Sequence, residues 1–348
     1  MPHFGAVFFS SKIAYCRANL HFRLDIMKKK CYTTCMDIII DEKNAGKMIR
    51  AFTKQELGFS SAILKKLKYS EGGIRVNGES VTVRYMLREG DVLSLAMDDR
   101  EEDVSPYIVP ADLPLPVVFE DDYVTVINKP PNMPSHPSFG HPLDTAANAL
   151  AHRYRDRTYV FRPVNRLDRD TSGVMLTANT KLAAHRMAKA MQSGQIGKAY
   201  IAIAEGVPPV KEGIIDGYMH RVAGSIITRE VCEADAPGAR CAVTEYTVIG
   251  MSDKGYSVIL ARPVTGRTHQ IRVQLTSIGC PLVGDTLYGR EEAEMPRHAL
   301  HAFKTEFPHP ADGHTVRVVA PLPEDMKNWI AEHFDTDVTE ALREMDLV

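Results

Sequence analysis

An acid- and proline-rich stretch, residues 98–116, most constrains how this chain can fold. Its letters, DDREEDVSPYIVPADLPLP, offer few apolar side chains to a core, which is typical of a linker between folded units. A chain of 348 residues is long enough for about two domains, each with its own core. We therefore expect a small module over 41–97, a larger domain over 117–335 and a C-terminal tail over 336–348.

Composition excludes some classes of protein and leaves others open. The formal net charge of -2 shows no overall excess of positive charge for nucleic acid, although a local basic patch can still bind it. No apolar run approaches the roughly 20 residues of a membrane span. Six scattered cysteines suit a reducing cytoplasm better than a disulfide framework, and they predict no metal site. We expect a cytoplasmic protein without bound metal.

The beginning of the chain, residues 1–35, shows no sustained periodicity and no clear helix or strand signal. The letters MDIIIDEKNAGK, which begin at Met36, are typical of a natural protein start. We expect residues 1–35 to be a disordered extension or to precede the true translation start.

The small module combines two short helices with a hairpin. One helix is expected within 44–57, and the letters GFSSAILKKLKYS predict a second helix with Ser60 as its N-cap. The letters IRVNGESV predict two strands joined at Asn77 and Gly78, and EGDVLSL predicts a closing strand. The outward side chains of the second helix include Lys65, Lys66 and Lys68.

The larger domain contains more strands than helices. The letters PVVFEDDYVTVINKP place two β-rich runs around an acidic turn and predict a hairpin. Further strands are expected near 174–177, 198–205, 242–249 and 256–261, and a final helix near Pro323. Little of this order alternates as strand, helix, strand. We therefore expect an α+β fold with a mainly antiparallel mixed sheet rather than a doubly wound parallel one.

The charged loop NRLDRDTSG lies directly before an expected buried strand. An unpaired buried charge is costly, so either this is an ordinary polar turn or a carboxylate is held in place for chemistry. Asp168 lies between arginines that favour its ionised form, and an oriented carboxylate can act as a nucleophile or an electrostatic stabiliser. The simpler alternative is that Asp168 or Asp170 caps the turn with Thr171 and Ser172.

The alternating segment KAYIAIA places Lys198 and Tyr200 on one face of an expected strand. A tyrosine beside a lysine on a polar face can stack on a nucleobase. Most strand tyrosines simply pack in a core, and this alternative stays open.

The segment THQIRVQLTSIG predicts a helix with Thr268 as a good N-cap. Arg272 lies near the N-terminal end of that helix, where the helix dipole disfavours a cation unless an anion accompanies it. A carboxylate or a phosphate is the expected partner, and Asp168 is one candidate. His269 is either a base or ligand, or a residue that makes a structural hydrogen bond.

These segments together resemble the RluA family of RNA pseudouridine synthases over residues 117–322. INKPPNMPSHPS resembles the first segment of the family, and NRLDRDTSG its catalytic motif. GKAYIAIAEG resembles the Lys-x-Tyr strand, GRTHQIRVQL with GCPLVGDTLYG the third motif, and LHAFKTEFPHP the late Leu-His-Ala segment. The module over 41–97 resembles the RNA-binding domain named after the fourth small-subunit ribosomal protein.

The resemblance implies that Asp168 is the catalytic aspartate, Tyr200 the tyrosine that contacts the base and Arg272 the ion partner of the aspartate. The chain departs from the family at Asn165 and Gln274, where histidine is usual, so the contacts near these positions stay open while activity is not excluded. Within the catalytic loop, Arg166 and Asp170 are expected to hold the backbone. The residues expected to contact RNA are Lys65, Lys66, Lys68, Arg166, Lys198, Arg267 and His269.

The implied activity is the isomerisation of uridine to pseudouridine in structured RNA. The reaction breaks the bond between ribose and the uracil nitrogen, rotates the base and joins ribose to ring carbon five. No redox step or group transfer occurs, so no cofactor is expected, in agreement with the absence of a dinucleotide fingerprint or P-loop. Large-subunit ribosomal RNA is the expected partner, with transfer RNA as an alternative, and the protein is expected to be a monomer.

Two other functions stay open from the residues alone. An RNA-binding or ribosome-assembly protein that has lost activity is one. The presence of Asp168, Tyr200 and Arg272 together argues against it, while the departures at Asn165 and Gln274 keep it open. A glycoside hydrolase with paired carboxylates is the other, but Asp168 and Asp170 are too near in sequence to flank a bond easily. For the synthase, an ionised Asp168 could attack the sugar or the base, or assist proton removal from the sugar.

Overall fold

The computed structural model describes residues 35–97, 99–290 and 295–345. The expectations for the N-terminal extension therefore lie outside the described residues, except that Cys35 begins the first strand. Among the described residues, no helix combines the length and the apolar composition that crossing a membrane requires.

The small module folds around a sheet of short antiparallel strands. Its elements in chain order are β1 (Cys35–Ile39), α1 (Ile49–Gln55), α2 (Ser61–Tyr69), β2 (Ile74–Val76), β3 (Glu79–Ser80) and β4 (Val92–Ala96). Within the described residues the strands are ordered β1, β4, β2, β3 across the sheet. Their shared core contains Ile49, Phe52, Leu67, Leu93 and Leu95.

Local signals in the sequence explain two features of this module. Ser60 Oγ accepts a hydrogen bond from the backbone nitrogen of Ile63 at 3.3 Å, which confirms the predicted N-cap of α2. Asn77 and Gly78 both have positive φ, 52° and 87°, as a tight hairpin turn requires. The Asn-Gly turn between β2 and β3 is therefore confirmed.

The rest of the chain builds one large sheet with helices on its faces. Its elements are β5 (Val117–Glu120), β6 (Val124–Lys129), α3 (Ala146–Arg153), β7 (Ser172–Ala178), α4 (Lys181–Gln192), β8 (Gly197–Glu205), β9 (Glu212–Arg221), β10 (Arg229–Cys232), β11 (Arg240–Met251), β12 (Tyr256–Pro263), α5 (Gln270–Ser277), β13 (Leu300–Pro308), β14 (Thr315–Val319), α6 (Glu324–His333) and α7 (Thr336–Glu344).

The large sheet is almost wholly antiparallel. Over the part of the chain that the structure describes, its order is β10, β9, β11, β12, β8, β13, β7, β6, β5, and β14 pairs with β13. The parallel pair joins β13 to β7, where His301 lies opposite Ser172 and Ala302 opposite Gly173. The predicted α+β class with a mainly antiparallel mixed sheet is confirmed. This topology brings the loop before β7 next to the segment before β13.

Strand β8 lies near the middle of the large sheet and is covered on both faces. Tyr200 and Ala202 point into a core cluster that includes residues of α5. Ile201 and Ile203 point into a second cluster that includes residues of α6. Of the two alternatives for Tyr200, packing in a core is therefore the one observed, because a central strand between two helical layers buries both of its faces.

The spacer between the two parts is anchored through its acids. The Asp99 carboxylate accepts hydrogen bonds from the guanidinium of Arg162, one of them at 2.9 Å. Asp103 pairs with Lys66 of α2 and, at 2.7 Å, with Lys181 of α4, and its side chain is only 4% exposed. The spacer thus touches both parts that it joins, and the division into domains stays a prediction.

The end of the described chain is helical. Residues 336–344 form α7, and Val338 and Leu342 are buried in the same cluster as Trp329 of α6. The expectation of a tail is wrong over these residues, because apolar side chains four positions apart give the helix a face that packs on the domain.

Candidate active site

The charged loop NRLDRDTSG is held by buried side chains from an earlier segment. Ser135 Oγ donates a hydrogen bond to the carbonyl of Leu167 at 2.8 Å and accepts one from the Leu167 amide at 3.2 Å. The fully buried Lys129 donates from Nζ to the carbonyl of Arg169 at 2.9 Å. The backbone is therefore fixed on both sides of Asp168.

The end of the loop approaches β13 closely. Thr171 Oγ1 lies 2.7 Å from Nε2 of His298, and burial lowers the pKa of His298 to about 4, so its ring is neutral near pH 7. Gly173 has a φ of 110°, and a Cβ at this position would lie 2.1 Å from the carbonyl oxygen of Ala302. Only glycine lets β7 pair with β13 at this point.

Arg272, the third residue of α5, links two carboxylates and is only 6% exposed. Its Nε and Nη2 atoms lie 2.7 and 2.9 Å from the two carboxylate oxygens of Asp285. Its Nη1 atom lies 3.4 Å from Oδ2 of Asp168. The structure therefore brings Asp168 and Arg272 together as predicted, but Asp285 is the closer partner of the arginine.

The two carboxylates explain how a cation can lie near the N-terminal end of a helix. Burial alone would lower the pKa of Arg272, but the hydrogen bonds and charge of Asp285, and then the charge of Asp168, raise it overall. Burial would raise the pKa of Asp285, but Arg272 outweighs this and holds that pKa below its usual range. Arg272 and Asp285 thus stay ionised, and the remaining guanidinium edge faces Asp168.

The N-cap of helix α5 lies one residue after the predicted one. The N-cap residue is His269, with a φ of 58°, rather than Thr268. Gln270 Oε1 accepts hydrogen bonds from the backbone nitrogen of Arg267 at 2.9 Å and from Thr265 Oγ1 at 2.8 Å. The prediction of Thr268 as N-cap is wrong, because the glutamine side chain satisfies the donors of the loop that enters the helix.

The His269 ring lies between Asp168 and Tyr288. Its Nε2 atom is 3.9 Å from Oδ2 of Asp168, and its Nδ1 atom is 2.8 Å from the Tyr288 hydroxyl. Burial lowers the pKa of His269, although the charge of Asp168 acts in the opposite direction. The Tyr288 ring also lies 4.9 Å from the Arg272 guanidinium. His269 therefore makes the structural hydrogen bond that was one of its expected roles, and it faces the carboxylate.

Tyr200 and Lys198 lie on the same strand but in different surroundings. Burial, and then the negative charge of Asp168, raise the pKa of Tyr200, so its phenol is neutral. Burial lowers the pKa of Lys198. Lys198 Nζ would lie 3.7 Å from a Cβ placed on Gly266, in the loop that leads to α5. Tyr200 thus lies close enough to Asp168 to feel its charge, whereas Lys198 lies near the loop that leads to α5.

The structure does not bring all the predicted RNA contacts to this site. Arg166 is exposed and has no hydrogen bond or ion pair within the described residues, so it does not hold the loop. Among the described residues, the Asp170 carboxylate is bound by its neighbour Arg169 alone, at 2.9 Å. Arg267 is exposed, and its Nε donates to the carbonyl of Cys241 at 2.8 Å.

The predicted lysines lie on the small module. Lys65 and Lys68 are exposed on α2, where their charges face solvent. Lys66 is paired with Asp103 of the spacer, so part of its charge is neutralised.

The two departures from the family pattern have internal partners. Asn165 Oδ1 accepts a hydrogen bond from the backbone nitrogen of Leu176 at 2.8 Å. Gln274 is buried, its Nε2 donates to the carbonyls of Ile215 and Ala242, and its Oε1 accepts from Thr244. Both side chains therefore support the fold, and the buried Gln274 has no surface to offer to RNA.

Sequence reasoning missed three residues of this cluster: Asp285, Tyr288 and His298. The segment GDTLYG, already part of the third motif, contains the first two, and their spacing of three places both beside Arg272. The motif that contains Asp285 and Tyr288 was therefore visible in the sequence, but nothing in that segment shows which arginine Asp285 binds. His298 had no local signal, because its contact with Thr171 joins segments 127 residues apart.

Comparison with known proteins supports this fold and site. The family model described as RNA pseudouridylate synthase matches residues 123–277. The solved structure titled "Human RNA Pseudouridylate Synthase Domain Containing 1" superposes with a TM-score of 0.51 at 27% identity, covering 61% of this chain and 85% of that one. The fold is thus that of a pseudouridylate synthase, and Asp168 and Arg272 lie within the residues that the family model matches.

Two curated relatives match this chain over nearly all of their own length. The Bacillus subtilis protein named "Uncharacterized RNA pseudouridine synthase YjbO" is 40% identical over 277 residues, which is 79% of this chain and 95% of the relative. "Ribosomal large subunit pseudouridine synthase D" of Vibrio parahaemolyticus is 35% identical over 322 residues, 87% of this chain and 93% of the relative. The chain belongs to the RluA family of RNA pseudouridine synthases, enzymes that isomerise uridine in RNA.

Proposed function

We propose that this enzyme isomerises uridines in large-subunit ribosomal RNA, with Asp168 as its catalytic carboxylate. The relative from Vibrio parahaemolyticus, named for the large ribosomal subunit, matches 87% of the chain and supports this substrate class. The observation that carries the assignment of Asp168 is its position 3.4 Å from the Arg272 guanidinium, in a loop held on both sides.

Each group around Asp168 has a distinct task in this proposal. Arg272, clamped by Asp285, orients the Asp168 carboxylate toward the nucleotide. The neutral Tyr200 phenol supplies a flat surface beside the base. The target uridine must leave its stack to reach these groups, which costs a few kcal/mol, and contacts with basic and aromatic side chains offset that cost.

A single substitution tests the role of Asp168. In the Asp168→Asn enzyme, the amide keeps the shape of the side chain but loses the negative charge. We expect pseudouridine formation on an unmodified transcript of large-subunit ribosomal RNA to fall below about one thousandth of the wild-type rate. Carbodiimide labelling with primer extension measures the rate and names the position.

The matched control is Asp216→Asn, at an exposed acid on β9, which should modify the transcript at the wild-type rate. RNA binding by Asp168→Asn should stay close to that of the wild type, which separates loss of chemistry from loss of substrate. Modification by the Asp168→Asn enzyme at the wild-type rate would refute the assignment.

We also propose that the module over 41–97 binds RNA through Lys65 and Lys68, as the domain that it resembles does. These exposed lysines give α2 a basic face. The enzyme is further proposed to act as a monomer in the cytoplasm, where Cys232, Cys241 and Cys280 are free thiols.

A further inference from the structure

A strongly basic cleft lies beside the active site. It has a volume of about 350 Å³ and is bounded by the ends of β9, β10 and β11 and by the loop before α5. Four arginines are among its lining residues, and none of the lining residues is an acid. The arginines are Arg221, Arg229, Arg240 and Arg267.

The strand register places like charges against each other. Arg221 of β9 lies directly opposite Arg229 of β10, and Arg240 of β11 lies opposite Met219, two residues from Arg221. All three arginines therefore share one face of the sheet. Like charges directly opposite each other on paired strands destabilise a sheet, so an anion on this face would relieve the repulsion.

Contacts within the protein leave these charges uncompensated. Among the described residues, the guanidinium groups of Arg229 and Arg267 donate only to backbone carbonyls, which carry no net charge. The side chains of Arg221 and Arg240 are exposed and make no hydrogen bond or ion pair within the described residues. The neighbouring acid Glu230 is paired with His220 at 3.0 Å and, as the next residue along β10, points to the other face of the sheet.

The cleft is joined to the catalytic cluster by a short chain of contacts. The backbone nitrogen of Arg229 donates to the Tyr288 hydroxyl at 2.9 Å. That hydroxyl lies 2.8 Å from Nδ1 of His269, whose Nε2 is 3.9 Å from Asp168. The loop before α5 lines the cleft with Arg267 and continues directly into His269.

We propose that this cleft is a phosphate-binding subsite that holds the RNA backbone next to the target nucleotide. The inference rests on the proposed function, since an RNA chain must enter beside Asp168. Guanidinium groups match phosphate oxygens in paired hydrogen bonds, and several of them around one cleft can hold adjacent phosphates. The subsite fixes the backbone while the base turns toward Asp168.

Two substitutions in the cleft test the subsite. In Arg221→Gln and Arg240→Gln, we expect KM for the unmodified large-subunit ribosomal RNA transcript to rise about tenfold, with the larger part of the effect in KM rather than kcat. Filter binding of the same transcript over a range of KCl concentrations gives the slope of the logarithm of the binding constant against the logarithm of the salt concentration. The magnitude of that slope should be smaller by about 0.7–0.9 for each phosphate that the variant no longer binds.

The matched control is Arg343→Gln, at an exposed arginine of α7. That helix packs at the far end of β11, where Val338 lies against Gly250, so KM and the salt slope should keep their wild-type values. Thermal melting shows whether the variants are folded. Because Arg221→Gln removes one of two opposed arginines, its Tm should be unchanged or higher.

The outcomes separate the two proposals. If the wild type forms pseudouridine and both cleft variants bind the transcript like Arg343→Gln, the phosphate subsite is refuted and the proposed function stands. If the wild type forms no pseudouridine but the cleft variants still lose affinity and salt slope, the subsite stands and the proposed function is refuted. Absence of wild-type binding to the transcript refutes both.

Discussion

Two acids contact Arg272 at different distances. Asp285 binds it through two hydrogen bonds and is itself buried, whereas Asp168 keeps 26% of its side chain exposed and makes one longer contact. This division suits a site in which one carboxylate positions the cation and the other stays accessible to a substrate. Asp285 is thus a positioning residue, and Asp168 is the residue proposed to react.

The buried pair predicts a large loss of stability when its acid is removed. In Asp285→Ala, the Arg272 guanidinium stays buried without its bidentate partner, so we expect the free energy of unfolding to fall by about 3–5 kcal/mol. Urea denaturation measures the change. The exposed Asp216→Ala should change the free energy by less than about 0.5 kcal/mol, and an equal effect of the two substitutions would contradict the role of Asp285.

At the scale of elements, the site forms where β7 and β13 run side by side. The catalytic loop ends at β7, His298 precedes β13, and α5 brings Arg272 from the opposite side. The close approach at Gly173 sets the distance between these strands. Small errors in that distance would move Asp168 relative to Arg272.

Gly173→Ala tests this dependence. The new methyl group would meet the Ala302 carbonyl at 2.1 Å, and a φ of 110° is strained for alanine, so we expect a loss of at least about 2 kcal/mol in stability together with a lower kcat. Urea denaturation and rate measurement report the two effects. Gly217→Ala, where a Cβ meets no atom within 4 Å, is the matched control and should be near neutral. Wild-type stability and kcat in Gly173→Ala would show that the strand approach does not set the site.

At the scale of the whole molecule, the small module is attached to the synthase part through α4. His185 of α4 has its Nε2 atom 2.6 Å from the carbonyl of Leu57, and its ring meets Phe59 edge-on. Leu182 of the same helix is buried in the core of the module. With the Asp103 contacts, these interactions hold the lysines of α2 in a defined place.

The spacer contact predicts a change in proteolysis. In Asp103→Ala, Lys66 and Lys181 lose a shared buried partner, so trypsin should cut near residues 98–116 several times faster than in the wild type. The control Asp112→Ala removes an acid of the same segment that is 91% exposed and should be cut at the wild-type rate. Equal cleavage of all three proteins would show that Asp103 does not hold the module.

Local patterns in the sequence predicted the features that depend on near neighbours. The N-cap at Ser60 and the turn at Asn77 and Gly78 follow from the preferences of those residue types for particular backbone angles and hydrogen bonds. The α+β class follows from the order of strand and helix patterns along the chain. A cation near a helix N-terminus indicated that Arg272 has an anionic partner, and the family resemblance implied that this partner is Asp168.

Tertiary structure alone decided the remaining features, because they depend on contacts between distant segments. Tyr200 is buried on a face that looked polar, since β8 lies between two helical layers. Asp285 is the stronger partner of Arg272, and Gln270 rather than Thr268 sets the start of α5. The arginines of β9, β10 and β11 form one cleft only because strand register places them on one face, a property that no single segment contains.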